Sequence, residues 1–252
     1  MNARSELPGL IDHSKTTNGY IGQSTPRTGA KKLLQGRGTY LDDLRLPRLA
    51  HVVFFRSPHA HARIKSLKLD RARQQAGVIA VFNGQDIAAF CTPWVGVLGH
   101  LKGIKSAPQH AVAVDRVCWQ GEAVAAVVAE SRRQAEDALE SIEADWELLP
   151  VVSDMRQALE GKTLVHPDLG DNICFHRELK TEGFDAAWAA ADVVVEKTYR
   201  FGRHTGVCNE PRAILADYNP ADHSLTVYHA TQAPNMMQDI FSRHLDIPES
   251  NI

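Results

Sequence analysis

Hydrophobic and polar positions along the chain fall into two patterned regions separated by a stretch rich in chain breakers. From Leu49 to Phe55 the density of β-branched and aromatic residues rises, and Ile64, Leu67 and Leu69 follow with near-alternating polar partners, which predicts two strands. Ser57-Pro58 interrupts the chain between them, since proline lacks the N–H that a strand interior needs. Val78 to Phe82 predicts a third strand, ended by a turn at Asn83-Gly84, two residues that tolerate positive φ. Gln85 to Phe90 has room for one or two helical turns. Cys91 to Gln109 contains Pro93, Gly96, Gly99, Gly103 and Pro108 and is expected to be a long surface loop.

The clearest local unit is Ala123 to Glu147. The run Ala123 to Ala129 is continuously apolar and fits a strand buried on both faces. Ser131-Arg132-Arg133-Gln134 has capping-box spacing, in which the Ser hydroxyl and the Gln side chain satisfy N–H groups left open at a helix start. Ala135, Ala138, Leu139 and Ile142 then share one helical stripe, and Glu143 to Leu148 returns as a strand. Beyond Pro150 the pattern predicts a short helix over Phe184 to Ala191 and a strand over Val193 to Phe201. A hairpin is predicted from Arg212 to Tyr218 and Leu225 to His229, turning at Asn219-Pro220. Pro234 opens a helix to about Leu245 that places Met237, Ile240, Phe241 and His244 on one side.

These elements predict an α+β architecture without internal repeats. Residues 1–35, polar and marked by Asn18-Gly19, Pro26 and Gly29, read as an extended arm, residues 36–150 as one domain and residues 165–252 as the start of another. Apolar runs stop near eight residues, far below the roughly 20 that cross a bilayer, so no membrane span is expected. Residues 1–19 lack the apolar core of a secretory signal, and a cytoplasmic location is the expectation. Cys91, Cys118, Cys174 and Cys208 form no C-x-x-C pair and are expected to be reduced.

The net charge of −2 hides an asymmetry: residues 1–75 carry 14 Lys+Arg against 5 Asp+Glu, and residues 130–192 carry 6 against 15. Such a division can guide docking of another subunit, can bring the two parts of this chain together, or can mark two separately solvated faces. The basic segment is broken by apolar strands and lacks interleaved aromatics, which argues against nucleic-acid binding.

Few residues suggest chemistry on their own. His59-Ala60-His61 puts two imidazoles on one strand face, but a zinc site needs two more ligands and none adjoins, so a structural turn is expected. His204 and Cys208 are four apart, but Gly206 between them disfavours the helix that would align them. Gly36-Arg37-Gly38 follows no strand and lacks the third glycine of a dinucleotide loop. No G-x-S-x-G or Walker sequence occurs, and a small hydrolase is the weakest of the readings considered. No catalytic residue and no metal ligand is assigned within the chain.

Several longer stretches together carry more. Ile21-Gly22-Gln23-Ser24 with Pro26-Arg27 and Gly36 to Asp43 come first, then Arg56-Ser57-Pro58-His59-Ala60-His61-Ala62-Arg63-Ile64 and Gly121 to Val127. Arg203-His204-Thr205-Gly206, Glu210-Pro211-Arg212 and Thr231-Gln232-Ala233-Pro234 with Met236 to Asp239 complete the series. In this order they resemble the N-terminal part of the molybdenum-hydroxylase large subunit of the xanthine dehydrogenase and aldehyde oxidase family, over about residues 20–252. Two departures stand out: Ala123 where the family commonly has Pro after Gly-Glu, and Cys208-Asn209 in place of Pro-Met before Glu-Pro-Arg.

The resemblance implies an α/β hammerhead domain followed by an incomplete mixed α/β molybdenum-cofactor-binding domain. It implies a role in oxidative hydroxylation, with water, of an aldehyde, an N-heterocycle or a similar small substrate; a branch of the family oxidises carbon monoxide. The matching Gln approaches a molybdenum oxo ligand, making Gln232 the first cofactor-binding candidate, with Glu210 and Arg212 behind it. A neutral amide N–H suits that position because it orients an oxo group without adding charge. The pterin-binding loops and the catalytic Glu would belong to the C-terminal remainder of the large subunit, so the chain is expected to be inactive alone. FAD and [2Fe–2S] clusters would sit on partner subunits or domains. The alternative reading is a non-catalytic scaffold or remnant that docks such subunits.

Overall fold

The computed structural model of the protein describes Tyr20, Ser24, residues 26–96, Leu98 and residues 100–252. Ile21-Gly22-Gln23 and most of the expected arm therefore lie outside the described residues. The chain divides into two compact units, one ending at Leu44 and one running from Arg45 to Ile252. In the first, residues 30–34 are not extended as expected: they form a single helical turn, α1 (Ala30–Leu34), closed by a bond from Gln35 N–H to the Lys31 carbonyl. A 3-10 turn at Leu41–Asp43 follows, in which the Asp43 carboxylate accepts from Tyr40 N–H at 2.8 Å.

In the second unit, β1 (His51–Arg56), β2 (Ala62–Lys68), α2 (Asp70–Arg73), β3 (Val78–Asn83) and α3 (Gly84–Ala88) come first. β4 (Arg116–Val117), β5 (Ala123–Ala129), α4 (Arg132–Leu139) and β6 (Glu143–Leu148) follow. The strands form two antiparallel sheets ordered β1-β5-β3 and β4-β2-β6, so the expected strand–helix–strand unit is present but its strands join different sheets. β5 is buried along nearly its whole length, as its unbroken apolar run requires. Ala125, Val127 and Ala129 pack against Ala135 and Ala138 of α4. Val124 contributes instead to a second core with Ala62, Ala113 and Val117.

Two local expectations are corrected. Asn83-Gly84 is not a turn of positive φ: Asn83 (φ −100°) is the N-cap of α3, accepting from Asp86 N–H at 2.9 Å while Asp86 accepts from Asn83 N–H at 3.0 Å. Glycine is needed at 84 for proximity, since a Cβ there would lie 2.1 Å from the Ala113 carbonyl oxygen. At α4, Ser131 Oγ accepts from Gln134 N–H as expected, but Gln134 Oε1 accepts from the Ser131 hydroxyl at 2.6 Å rather than from a backbone N–H.

Part of the charge asymmetry is met within this unit, by four basic and three acidic side chains. Pairing of β2 with β6 sets Arg63 beside Glu147 (3.4 Å), Lys65 beside Asp145 (3.2 Å) and Lys68 beside Glu143 (2.8 Å). Arg71 reaches Glu143 as well (3.3 Å). Opposite charges facing each other across strands favour this register over a slipped one. The Lys68 ammonium holds the Glu143 carboxyl below its ordinary value, and the lysine is raised in turn.

From Pro150 onward the chain forms α5 (Met155–Leu159), a 3-10 turn at Pro167–Leu169 and α6 (Phe184–Ala189). Then come β7 (Ile214–Asn219), β8 (Ser224–His229), α7 (Pro234–Leu245) and a 3-10 turn at Glu249–Asn251. β7 and β8 make the predicted hairpin and α7 has the predicted span, with Met237, Ile240, Phe241 and His244 half-buried. The expected strand Val193–Phe201 is not formed; the segment lies exposed with no ladder to any described residue. The Cys91–Gln109 loop is irregular as expected, but a bridge between Trp94 and Gln109 closes it. Thr92 fastens it to α7: its N–H donates to the His244 carbonyl at 3.2 Å, and His244 Nδ1 lies 3.1 Å from the Thr92 carbonyl oxygen. Among the described residues no helix is long and apolar enough to cross a membrane.

Candidate functional site

The three residues singled out from the sequence lie on the two stretches that adjoin one end of the β7–β8 ribbon. Ile214 pairs with His229, and one step further Ala230 N–H donates to the Ala213 carbonyl at 3.2 Å. Antiparallel register thus sets the stretch carrying Glu210 and Arg212 alongside the stretch carrying Thr231 and Gln232. Glu210 is half-buried and Arg212 is exposed.

Thr231 shapes the turn into α7, its hydroxyl accepting from Ala233 N–H at 3.2 Å. Gln232 next to it is exposed, and Pro234 occupies the first helical position, where no N–H is needed. The open N–H groups at the start of this twelve-residue helix favour negative charge nearby. Behind the turn is a cavity of about 260 Å³ lined by His229, Thr231, Pro234, Asn235, Gln238 and Ile252, among others. His229 packs its ring on Phe241 (centroids 6.0 Å apart), and its buried Nδ1 has no hydrogen-bond partner among the described residues. Gln238 spans to the chain end, donating to the carbonyls of Glu249 (2.9 Å) and Ile252 (2.8 Å).

The histidine motif has a different place. Ser57 Oγ accepts from His59 N–H (3.0 Å) and donates to the His59 carbonyl (2.9 Å), closing the break between β1 and β2. His61 is buried and its Nδ1 lies 2.7 Å from the Pro150 carbonyl oxygen, which fixes the proton on Nδ1. His59 meets the Trp146 ring edge-on. These contacts join both strands to the end of β6. His204 and Cys208 are both exposed, with His204 edge-on to Phe201. No group of three or more His, Cys, Asp or Glu among the described residues could hold a metal ion. All four cysteines are free.

Sequence reasoning passed over a second polar cavity, of about 400 Å³, between the first patterned region and the segment beyond Pro150. Glu122, Arg116, Cys118, His166 and Asp168 line it. Glu122 is only 8% exposed and accepts from Cys118 N–H at 2.6 Å. Burial pushes its carboxyl above the ordinary value, against the opposing pull of the Cys118 and Trp119 N–H groups and of Arg116. Burial raises the Cys118 thiol too, and it lowers His166, with Arg116 and His61 adding to that effect. The only signal in the sequence was a carboxylate placed directly before the most apolar strand.

Comparison with known proteins places this geometry in context. Residues 35–150 match the model for the aldehyde oxidase and xanthine dehydrogenase a/b hammerhead domain, and residues 165–252 match that for the molybdopterin cofactor-binding domain. The nicotine 6-hydroxylase large subunit of Paenarthrobacter nicotinovorans is 33% identical over 93% of this chain and 29% of its own length. The carbon monoxide dehydrogenase large chain of Afipia carboxidovorans is 32% identical over 88% of this chain and 28% of its own. The crystal structure of quinoline 2-oxidoreductase from Pseudomonas putida 86 superposes with a TM-score of 0.84 at 33% identity, covering 93% of this chain and 30% of that one. The chain thus spans about 30% of the length of the relatives it matches.

Proposed function

The chain belongs to the aldehyde oxidase and xanthine dehydrogenase family, and on that premise we propose that it serves a molybdenum hydroxylase as the N-terminal part of its large subunit. It carries the hammerhead domain and the beginning of the molybdopterin-binding domain, and the reaction served is oxidative hydroxylation of a small substrate such as an aldehyde or N-heterocycle with water. When bound, the molybdenum cofactor supplies the redox centre at which the substrate carbon gains oxygen.

The observation that supports this reading is the exposed Gln232 amide just before α7, at the end of the ribbon from which the stretch carrying Glu210 and Arg212 also enters. These residues fit the group. Among the described residues no hydrogen-bond partner competes for the exposed Gln232 amide, which can donate an N–H to a metal-bound oxygen without bringing charge to it. The helix N-terminus adds a favourable field for an anionic group, and the orphaned His229 Nδ1 marks the adjacent cavity as polar and unfinished. Gln232 orients; it moves no proton. Proton transfer, the pterin-binding loops and the electron carriers, FAD and [2Fe–2S] clusters, are assigned to polypeptide outside these 252 residues, and the whole assembly to the cytoplasm.

The test joins the chain to the rest of a related large subunit and measures released pterin, the Mo(V) spectrum and turnover. Gln232→Ala is expected to cost roughly 10–100-fold in cofactor retention or activity and to alter the spectrum, as loss of an orienting group does at metal sites. Unchanged pterin content, spectrum and turnover would remove Gln232 from the site. The chain alone is expected to retain no molybdopterin, and stoichiometric binding by it would refute the dependence on a further part.

A further inference from the structure

Residues 176–209 contain no buried or half-buried position, yet they include Leu179, Phe184, Trp188, Val193, Val195, Tyr199, Phe201 and Val207. Scattered apolar residues on a surface need no explanation, but a run of this length with this composition marks a face that something covers. Within it, Val193, Val195, Lys197, Tyr199 and Phe201 fall on one side of an extended backbone and Val194, Glu196, Thr198 and Arg200 on the other. Val193, Val195, Tyr199 and Phe201 are each 78–87% exposed. The pattern is that of a strand with one buried face, whereas the described structure gives the segment neither a ladder nor a cover.

Next in sequence, β7 and β8 form a ribbon of two strands, with no third strand among the described residues. Three or more strands, or a well-packed helix, are needed for such a ribbon to stand by itself, and among the described residues α7 and the 3-10 turn at Glu249–Asn251 lie against it, neither of them a strand. An unpaired strand and an undersized sheet in one region call for the same remedy, additional strands from elsewhere. The relatives indicate the source: they contain nearly all of this chain and are roughly three times as long.

We propose that residues 193–201 are an edge strand that completes its sheet by pairing with a strand from the part of the large subunit outside this chain, burying Val193, Val195, Tyr199 and Phe201 against it. The proposal rests on the large-subunit reading and names the surface through which the two parts join. Pairing through backbone groups gives affinity, while the apolar side sets register, because a one-residue slip would turn Lys197's neighbours outward.

Hydrogen exchange followed by mass spectrometry tests it on the chain alone, across a wide concentration range, and on the chain joined to the part of the quinoline 2-oxidoreductase large subunit outside the matched region. Exchange over 193–201 is expected to be fast in the chain alone and slowed at least about 100-fold in the joined protein. Val195→Asp with Tyr199→Asp should abolish the slowing, and Glu196→Lys on the opposite side should leave it. Fast exchange in a joined protein that is otherwise protected overturns the proposal. So does protection in the chain alone that rises with concentration, which would make a second copy the occupant. If the joined protein is insoluble, the two pieces are produced together, and failure to associate in that form also overturns it. Pterin content is read in the same samples: protection without pterin leaves the strand pairing standing and removes the cofactor reading, and pterin without protection does the reverse.

Discussion

Replacing Gly84 with alanine sets two effects of known size against each other. As a helix position, residue 84 should gain from alanine by about 0.4–1 kcal/mol, through a less flexible unfolded chain. The surroundings oppose this. The new methyl would lie 2.1 Å from the Ala113 carbonyl oxygen, 2.6 Å from its carbon and 2.8 Å from Val114 Cα, all backbone atoms. Relief requires α3 and the 113–114 segment to part by roughly 1 Å, and overpacking of this kind costs about 1–3 kcal/mol. The shift would also disturb the reciprocal Asn83–Asp86 cap, worth about 0.5–2 kcal/mol. Sterics should win, with a net loss of about 1–4 kcal/mol and a fall in Tm of about 2–4 °C per kcal/mol for a chain of this size. Urea unfolding of Gly84→Ala would be compared with Gly202→Ala, where nothing lies within 4 Å and no left-handed φ is required. The control should stay within about 0.5 kcal/mol of the parent. A Gly84→Ala protein as stable as the parent would refute the reasoning, since only the close approach predicts a loss.

Further outcomes follow from the polar cavity, the cysteines and the cross-strand ladder. Glu122→Ala leaves the buried Cys118 N–H without its acceptor and should cost about 1–3 kcal/mol by urea unfolding, whereas Glu122→Gln should cost less. Because Glu122 is raised, its ionisation removes stability as pH rises above the unfolded value of about 4.3, and Glu122→Gln should lose that decline. His166 is lowered, so its penalty is absent above about pH 6.5 and grows as pH falls through that value; His166→Asn should flatten the acid side between 6.5 and lower pH. In thiol labelling at neutral pH, exposed Cys174 and Cys208 should react first and Cys118 and Cys91, both raised by burial, last; equal rates would contradict the burial. Lys68→Glu places like charges opposite Glu143 and should destabilise most at low salt, and a salt-independent effect would show that packing dominates.

How much of the fold was legible depended on whether the cause of each element lay in its own residues. α7 was readable from Pro234 through its four-residue stripe because a helix satisfies its hydrogen bonds internally. β5 was readable because burial on both faces leaves an unbroken apolar run, and the hairpin because Asn219-Pro220 punctuates it. Asn83-Gly84 was misread because both a left-handed turn and a cap followed by a tight contact favour those residues, and the deciding atom, the Ala113 carbonyl, is 29 positions away. For the same reason the charge imbalance left three readings open: net charge says nothing about register, and the pairing of β2 with β6 shows that some of these charges face one another within the chain.

The candidate site divides along the same line. Periodicity made Gln232 only a polar residue before a helix, and its significance came from resemblance; the ribbon register then added that Glu210 and Arg212 share its end of the hairpin. Glu122 was passed over because a lone carboxylate is unremarkable until neighbours bury it. The Val193–Phe201 segment shows the limit in its sharpest form. Alternation reports which side chains would share a face, and here the apolar side has no polar residue but Lys197, yet the structure leaves that side exposed. A strand, however, is defined by the chain beside it. Alternation alone therefore could not say whether a neighbouring strand lies beside this segment, which is why the predicted strand and the structure part there.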